Sequence, residues 1–474
     1  FRRVLFRSDD TNTPAPPGFT EADTEQISYK RRKKSKGFRN NPIPDDLHCV
    51  EEYNDIPEDE KKCSCCGKEM NKINEDEKKI LEYKPAQLFA RKIVTPVYAC
   101  NCQNETKPVS ALPVSMPIAK SFAGPSLLAY ILVSKYVDHL PLYRLEQIFK
   151  RYTIDINRST MCGWIEKLSD YFDLIYNAMK DELLKSPYLQ SDETPLKVQD
   201  KTKKKKCHTG YLWPYTNGEI ILFEYCKSRE SGNPAEFLKN FSGYLQTDDY
   251  AGYNTVLEKN KKVTRLLCWA HARRNFYEIK DLEPDYINNI LDLIGKLYRI
   301  EKRCREENFT FDQREEIRKK EAPEILTELR DKLLNPGVIV LPESKLKKAI
   351  NYVLSNWDML HIYLEDGRLE IDNNRIENAI RPVAVGRKNW LFAGSHNGAE
   401  NMAKLYSIFG TCKMNGINPF ECMNYMLSKI ADHPTKRIHE LTPAGWIKKT
   451  RDKIVGYGNA YLIIHFFSSF LADS

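Results

Sequence analysis

The spacing of hydrophobic residues changes along the chain and divides it into segments of different character. Residues 1–45 are polar and have no apolar period, so we expect a flexible basic arm rather than a folded core. Residues 46–107 contain short strand-like apolar runs and several cysteines, which favours a small zinc-ribbon-like module. In residues 118–185 apolar residues recur every three or four positions, which is typical of amphipathic helices.

Residues 186–432 mix helical and strand periods. Short aromatic and β-branched runs, bounded by Gly, Asn and Ser, predict strands between 186 and 280, with one helix at 233–241. Charged amphipathic sequence at about 281–365 predicts a helical insertion, and 433–474 forms a separate C-terminal segment. The fold class expected from these patterns is multidomain, combining α+β and α/β parts.

Composition and charge narrow the class of protein. Lys and Arg number 73 against 65 acidic residues in 474, and the excess is concentrated in basic runs at 30–39 and 201–206. Such runs are solvated faces or tails, or they contact nucleic acid. The 13 cysteines are an odd number without a recognisable secretory signal, which indicates reduced thiols and a cytoplasmic location. The most apolar stretch, at 461–472, is well short of the roughly 20 residues that a membrane span requires, so no membrane partner is expected.

Cysteines in residues 46–107 have the spacing of a zinc site. The candidate ligands are Cys63, Cys66, Cys100 and Cys102. The first two form a C-x2-C knuckle followed by Gly67, which lets backbone amides turn toward a bound sulfur. The second pair is the less usual C-x-C, and Cys65 or His48 could replace Cys102. We expect one structural Zn²⁺; the alternative is a set of small buried hydrophobic residues.

A helix-turn-helix is predicted at 142–172, where two helical patterns are joined by a short turn. Ser159 or Thr160 is expected to cap the second helix. In such a motif the second helix enters the DNA major groove, which would bring Asn157, Arg158 and Ser159 near bases or phosphates. The alternative is an ordinary helical hairpin.

Acidic residues lie in the middle of a predicted strand at 188–198, which carries Asp192 and Glu193 side by side. Because side chains alternate along a strand, we expect these acids on opposite faces, one functional and the other mostly solvated. A strand with similar sequence leads into Asp248, and Glu377 lies on a predicted helix. Two such Asp and one Glu are the ingredients of a two-metal phosphoryl-transfer site, because Mg²⁺ and Mn²⁺ prefer oxygen ligands.

Basic residues that follow a predicted strand in "CWAHARR", or that come soon after Glu377, are candidates for DNA contact. They are His271, Arg273, Arg274, Arg381, Arg387 and Lys388. Cations beside a catalytic carboxylate would offset the charge of a phosphate. His271 either contacts a scissile phosphate or helps proton transfer, or it is a histidine satisfied by neighbouring backbone.

Motifs across most of the chain resemble one known family. The segments "CSCCGKEM", "SDETPLKV", "TDDYAGY", "CWAHARRNF" and "DNNRIENAIRPVAVGRKNWLFAGS" are similar to those of bacterial transposases of the insertion sequence 66 family, over roughly residues 40–447. The resemblance implies that residues 186–432 form a ribonuclease-H-like catalytic core with a helical insertion.

The same resemblance implies a catalytic triad of Asp192, Asp248 and Glu377, which would hold two Mg²⁺ or Mn²⁺ ions. Glu193 is then the neighbour of the first ligand on the other face of the strand. The chain departs from the family pattern after Asp248, where Asp249 replaces the usual Gly and leaves the choice of ligand open.

The implied function is that of a DNA transposase, which cleaves strands at transposon ends and transfers the 3′-hydroxyl into target DNA. The alternatives are a nuclease that only hydrolyses and a non-catalytic zinc-ribbon regulator, although a regulator does not need three converging acids. Expected partners are double-stranded DNA, further copies of the chain on paired ends, and small accessory proteins of the same element. The apolar stripe at 286–300 either forms the contact between copies or packs inward.

Overall fold

The computed structural model describes residues 88–98, 109–110, 112, 114–200, 202 and 207–456. The chain divides into two units, Phe1–Arg91 and Lys92–Ser474, and the helices and strands given below belong to the second. The predicted basic arm, the four zinc-ligand cysteines and the apolar run at 461–472 lie outside the described residues.

Most of the described strands form one mixed sheet. Two short strands, β1 (Val97–Tyr98) and β2 (Val109–Ser110), pair with each other. The sheet contains β3 (Tyr188–Ser191), β4 (Thr194–Gln199), β5 (Cys207–Thr216), β6 (Ile221–Cys226), β7 (Gly243–Thr247) and β8 (Val263–Leu267). Its order is β4-β5-β3-β7-β8, and β6 also pairs with β5. Strands β3, β7 and β8 are parallel, whereas β5 is antiparallel to β3, β4 and β6.

The predicted strand at 188–198 is interrupted in its middle. β3 and β4 both pair with β5, and the register is the same on either side of the interruption. Asp192 and Glu193 occupy the gap between the two strands. Buried and exposed residues alternate along β4, as expected for a strand, but alternation does not extend through the gap because the backbone there is not in a strand.

Helices precede, connect and follow the strands. The first group is α1 (Pro125–Tyr136), α2 (Leu142–Arg151), α3 (Arg158–Lys167) and α4 (Ser169–Leu183). Within the sheet region lie α5 (Gly232–Phe237), α6 (Asn254–Lys259) and α7 (Trp269–Tyr277). The insertion holds α8 (Pro284–Glu306), α9 (Phe311–Leu334), α10 (Lys345–Ser355) and α11 (Trp357–His361). The last group is α12 (Asn374–Trp390), α13 (His396–Met414), α14 (Pro419–Lys429) and α15 (Pro443–Gly456).

None of these described helices is both long enough and apolar enough to cross a bilayer. One hydrophobic core joins α1–α4 to the sheet and to α13 and α14. Its buried members include Leu132, Phe172, Trp213 and Ile408. The helices predicted at 118–185 therefore pack directly onto the sheet region and share its core.

Two helices and a short turn occupy the predicted helix-turn-helix, as α2 and α3. The cap of α3 is Asn157, whose Oδ1 accepts from the Thr160 N–H at 2.9 Å. The prediction of Ser159 or Thr160 as the cap is wrong. Asn is an equally good cap, and the residue before it, Ile156, is buried.

The strand predicted to run through "TRLLCWAHA" ends at Leu267, and α7 begins two residues later. Trp269 is fully buried, and its Nε1–H donates to the Leu360 carbonyl at 2.8 Å. That burial anchors the start of α7, so His271 lies on a helix and Trp269 belongs to the core.

The insertion has a hydrophobic core of its own, which also takes in residues of β8 and α7. The apolar stripe at 286–300 lies inside this core, where Ile290, Ile294 and Leu297 are buried, and α9 packs against α8. The helical period of the stripe is as predicted, but its use as a contact surface between copies is contradicted, because its partner is the neighbouring helix of the same chain.

A buried ion network joins the insertion to the segment that leads into α12. Glu301 of α8 accepts from Arg314 and Arg318 of α9 at 2.6 to 2.9 Å. Arg314 also donates to Glu370 at 2.8 Å, and Glu370 accepts from Arg375 of α12 at 2.8 Å. Glu301 and Arg318 are fully buried, so each charge depends on its partner for solvation.

We expect Arg318→Ala to lower the free energy of unfolding by about 3–5 kcal/mol, because Glu301 would lose one of its two cations in a buried site. The matched control is Arg303→Ala, which breaks a partly exposed ion pair between the same two helices and should cost about 0–1 kcal/mol. Urea unfolding of both variants measures the difference. Equal losses in the free energy of unfolding for the two variants would show that the buried network adds no more stability than a surface ion pair.

Candidate active site

Two neighbouring parallel strands deliver Asp192 and Asp248 to one place. Strands β3 and β7 pair in parallel, and each acid follows the last residue of its strand. Since the carboxyl ends of parallel strands meet at the same edge of a sheet, the two side chains converge although 55 residues separate them in the sequence.

Arg265 of β8 holds the turn that carries Asp248. Its guanidinium is buried and donates to the Asp248 carbonyl at 2.7 Å and to the Tyr250 carbonyl at 3.1 Å. It also donates to Thr247 Oγ1 at 2.9 Å and to Asn254 Oδ1 at 2.8 Å. Because its N–H groups bind this turn, Arg265 positions the backbone. It does not bind the Asp248 carboxylate, which faces the site.

Asp249 turns away from Asp248 toward the insertion. Its Oδ2 accepts from Asn356 Nδ2 at 3.1 Å, and Asn356 follows α10. Asp249 therefore contacts the insertion, and Asp248 is the acid that joins the site.

Glu193 lies in the acidic group, contrary to the expectation of a mostly solvated side chain. One carboxylate oxygen from each of Asp192, Glu193 and Asp248 lies within 4.8 Å of the others. The Glu193 side chain is 5% exposed, and Arg229 donates to its Oε1, from Nε at 2.9 Å and from Nη2. Strand alternation fails to separate the adjacent acids because the strand is broken at both of them.

Glu377, in the first turn of α12, faces two basic side chains of α7. Its Oε1 lies 3.8 Å from His271 Nε2 and 3.7 Å from Arg274 Nη2. Its negative charge is one of the causes of the raised pKa of Asp192, so the three acids of the predicted triad share one electrostatic environment. The group of oxygens within 4.8 Å contains Glu193 and not Glu377.

Two buried glutamines hold the segment before α12 against both acid-bearing strands. Gln246 of β7 donates from Nε2 to the Glu370 carbonyl at 2.9 Å, and Gln190 of β3 donates from Nε2 to the Asp372 carbonyl at 2.9 Å. These bonds set the start of α12, and with it Glu377, relative to the strand ends.

Burial and like charge shift the pKa values of the site. Burial, with the nearby charges of Glu193, Asp248 and Glu377, raises the pKa of Asp192 to about 7. Burial and Asp248 also raise the pKa of Glu193, while Arg229 opposes that shift. A bound cation would relieve the unfavourable free energy of holding these partly buried carboxylates close together.

The pKa of His271 is lowered, mainly by burial and also by the positive charge of Arg274, against the opposing effect of Glu377. The imidazole is therefore neutral near pH 7. Its Nδ1 is buried and has no hydrogen-bond partner among the described residues, so the interpretation of a histidine satisfied by backbone is not what the structure shows.

The other predicted DNA-contacting residues differ in availability. Arg273, Arg274, Arg381 and Lys388 are exposed on α7 and α12, and Asn157, Arg158 and Ser159 are exposed at the start of α3. Arg387 is partly buried and donates to the Pro195 carbonyl, and burial lowers its pKa. Arg387 thus ties α12 to β4 rather than facing solvent.

Two arginines of the site, Arg229 and Arg265, were not predicted. Arg265 had a signal, because period-two alternation in "VTRLL" places it on the same face as Val263 and Leu267, both buried. An arginine on a buried strand face indicates a dedicated hydrogen-bonding role. Arg229 lies in an irregular loop before α5, where no period indicates which residues face the site.

We expect Asp192→Asn to raise the melting temperature of the metal-free protein at pH 8 and to raise it much less at pH 4.5. The folded pKa of about 7 exceeds the unfolded value of about 3.9, so the folded chain holds a proton that the unfolded chain releases, and stability falls as pH rises through this window. Asn at this position has no proton to lose, so the variant avoids this loss of stability.

Thermal unfolding in a chelator at both pH values tests this prediction. Asp181→Asn is the control, since Asp181 is exposed on α4. If Asp192→Asn raised the melting temperature equally at both pH values, the raised pKa of Asp192 would be contradicted.

Three family profiles match the chain. The profile described as Transposase IS66 family matches residues 120–401, the IS66 C-terminal element matches 407–444, and the zinc-finger binding domain of transposase IS66 matches 60–103. The last range contains all four predicted zinc ligands. The family predicted from the sequence motifs is confirmed.

Similar proteins occur in Sinorhizobium fredii (strain NBRC 101917 / NGR234). Uncharacterized protein y4qI is 32% identical over 83% of this chain and 75% of its own length. Uncharacterized protein y4jD is 30% identical over 93% of this chain and 88% of its own length. Uncharacterized protein y4hP is 28% identical over 85% of this chain and 76% of its own length. Together with the profile that spans the acids described above, these matches show that the chain belongs to the IS66 family of transposases.

Proposed function

We propose that this protein is a DNA transposase that cleaves strands at transposon ends and transfers the 3′-hydroxyl ends into target DNA. The observation that carries the proposal is the arrangement of three acids. Asp192 and Asp248 follow neighbouring parallel strands, and Glu377 lies in the first turn of a helix whose leading segment is bound to both strands. Membership of the transposase family supports this assignment.

The proposed catalytic core is ribonuclease-H-like. Support comes from a mixed sheet with acids at the ends of its central parallel strands and a third acid on a helix after the insertion. In this proposal the insertion is an elaboration of the core, since it enters between α7 and α12 and is bonded to the segments that carry Asp248 and Glu377.

The donor atoms fit hard divalent cations. The group of Asp192, Glu193 and Asp248 offers carboxylate oxygens without sulfur or imidazole. Burial and mutual repulsion raise the pKa values of Asp192 and Glu193. We assign two Mg²⁺ or Mn²⁺ ions to Asp192, Asp248 and Glu377. When bound, such ions supply activation of the attacking oxygen and neutralisation of the leaving oxygen.

The protein's own side chains would bind and orient the DNA strand. Exposed cations suited to phosphate oxygens lie on α12, which carries Glu377, and on α7, which faces it. They are Arg274, Arg381 and Lys388. Neutral His271, beside Glu377, can donate one hydrogen bond to that carboxylate or to a phosphate without adding charge. Exposed Arg158 at the start of α3 is proposed as part of the surface that recognises ends.

A nuclease that only hydrolyses would use the same acids. The zinc-finger match and the α2–α3 pair, both before the catalytic region, favour a protein that must bind chosen DNA ends before cutting. Partners in this proposal are double-stranded DNA, further copies of the chain and small accessory proteins of the element. One acidic site holds one scissile phosphate, whereas moving an element needs two ends, so a homo-multimer is proposed on paired ends.

We expect Asp192→Asn, Asp248→Asn and Glu377→Gln each to reduce cleavage of a DNA substrate bearing an element end by at least about 100-fold, because each removes a metal-binding charge. DNA affinity should change little, since phosphate-binding cations lie elsewhere. Cleavage and strand joining on labelled oligonucleotides, with gel-shift binding beside them, provide the measurement.

The matched control for this series is Asp249→Asn, adjacent to Asp248 but bonded to Asn356. It should keep most cleavage. Wild-type rates in any one of the three acid variants would remove that acid from the proposed triad, and cleavage without joining by the wild-type protein would favour the nuclease.

We also expect about one zinc per purified chain, held by Cys63, Cys66, Cys100 and Cys102, since four thiolates suit a structural Zn²⁺. Cys63→Ser should lose the metal, whereas Cys207→Ser, an exposed cysteine of β5, should keep it. Metal analysis by mass spectrometry measures both. Freshly reduced protein without zinc would refute the site, and zinc retained in Cys102→Ser would point to Cys65 or His48 as the fourth ligand.

A further inference from the structure

We propose that Glu193 is a direct ligand of a divalent cation at the acidic site, together with Asp192 and Asp248, and that Arg229 is its built-in counter-ion in the metal-free protein. The inference rests on the proposed metal-dependent function. It adds a fourth carboxylate to the site and assigns an arginine that competes with the metal for it.

The first support is distance. Single carboxylate oxygens of Asp192, Glu193 and Asp248 lie within 4.8 Å of one another, so small side-chain movements would bring all three onto one shared cation. Glu377 is not part of this group and faces His271 and Arg274 instead. The acid next to Asp192 in sequence is therefore better placed for a shared ion than the acid of the predicted triad on α12.

The second support is an unused oxygen. The Glu193 side chain is 5% exposed, and its Oε2 is buried without a hydrogen-bond partner among the described residues. A buried carboxylate oxygen without a donor is unfavourable in a folded protein. A cation at the acidic group would supply the missing partner.

The third support is the way in which Arg229 is held. Its guanidinium donates to Glu193 Oε1 and lies 3.9 Å from the ring centre of Tyr250, whose hydroxyl donates to the Arg229 carbonyl at 2.6 Å. Tyr250 is two residues after Asp248, and its N–H donates to Asp248 Oδ1 at 3.1 Å. The clamp on Glu193 is thus attached to the turn that carries Asp248.

Arg229 is more exposed than the acid it binds, with 44% of its side chain accessible to solvent. It donates to Oε1 of Glu193 and leaves the buried Oε2 without a donor among the described residues. The positive charge of Arg229, bound to Glu193, also repels an incoming cation. The arginine therefore keeps the acids together while lowering their affinity for metal.

Mn²⁺ binding by the full-length protein, followed by electron paramagnetic resonance of the free ion, tests the inference without DNA. We expect Glu193→Gln to weaken Mn²⁺ binding at least about 10-fold, because a ligand charge is removed while the side-chain shape is kept. Glu230→Gln removes an exposed acid next to Arg229 and should bind as the wild type does.

Arg229→Ala is the second variant, and its expected effect has the opposite sign. Removing the competing cation should tighten Mn²⁺ binding several-fold, a gain that misfolding cannot imitate. Unchanged binding in both Glu193→Gln and Arg229→Ala, or the lack of any Mn²⁺ binding by the wild type, would overturn the inference.

Cleavage assays on the same samples separate this inference from the proposed function. A wild-type protein that cleaves DNA while Glu193→Gln binds Mn²⁺ normally would retain the function and refute the ligand. Binding of Mn²⁺ that depends on Glu193, in a protein that cleaves no DNA, would retain the ligand and refute the function.

Discussion

The structure depends on bringing like-charged carboxylates together in a partly buried place. Without a cation that arrangement is unfavourable, and the raised pKa of Asp192 is its direct expression. The fold sustains it through its backbone and hydrogen bonds. Two parallel strands end side by side, Arg265 fixes the turn after β7, and Arg229 neutralises Glu193 after β3. The metal binding that we propose would relieve this repulsion.

The helical insertion is part of this support and not a separate attachment. It contacts the turn after β7 through Asn356, and its buried Glu301–Arg314–Glu370 chain reaches Arg375 at the start of α12. Insertion and sheet therefore act on the same two acid-bearing segments. Asp248 and Glu377 are far apart in sequence, but the intervening insertion is bonded both to the turn after Asp248 and to the segment that leads into α12.

Glu193 shows where sequence rules lose their validity. Alternation of side chains is a property of a regular extended strand, and the strand is interrupted at Asp192 and Glu193. The same limit applies to the start of α7, where Trp269 is fully buried and its side chain is hydrogen-bonded to the Leu360 carbonyl. In each case a local rule was overruled by what a neighbouring residue packs against.

The sequence by itself determined the family, most of the helical and strand segments, the strands that lead into Asp192 and Asp248, and the helix that carries Glu377, because periodicity and motif spacing are local properties. Only the tertiary structure decided which acids approach one another, the inward packing of the stripe at 286–300, and the roles of Arg229 and Arg265. Those outcomes depend on contacts between residues far apart in the chain, where burial and charge pairing select one arrangement that no local pattern encodes.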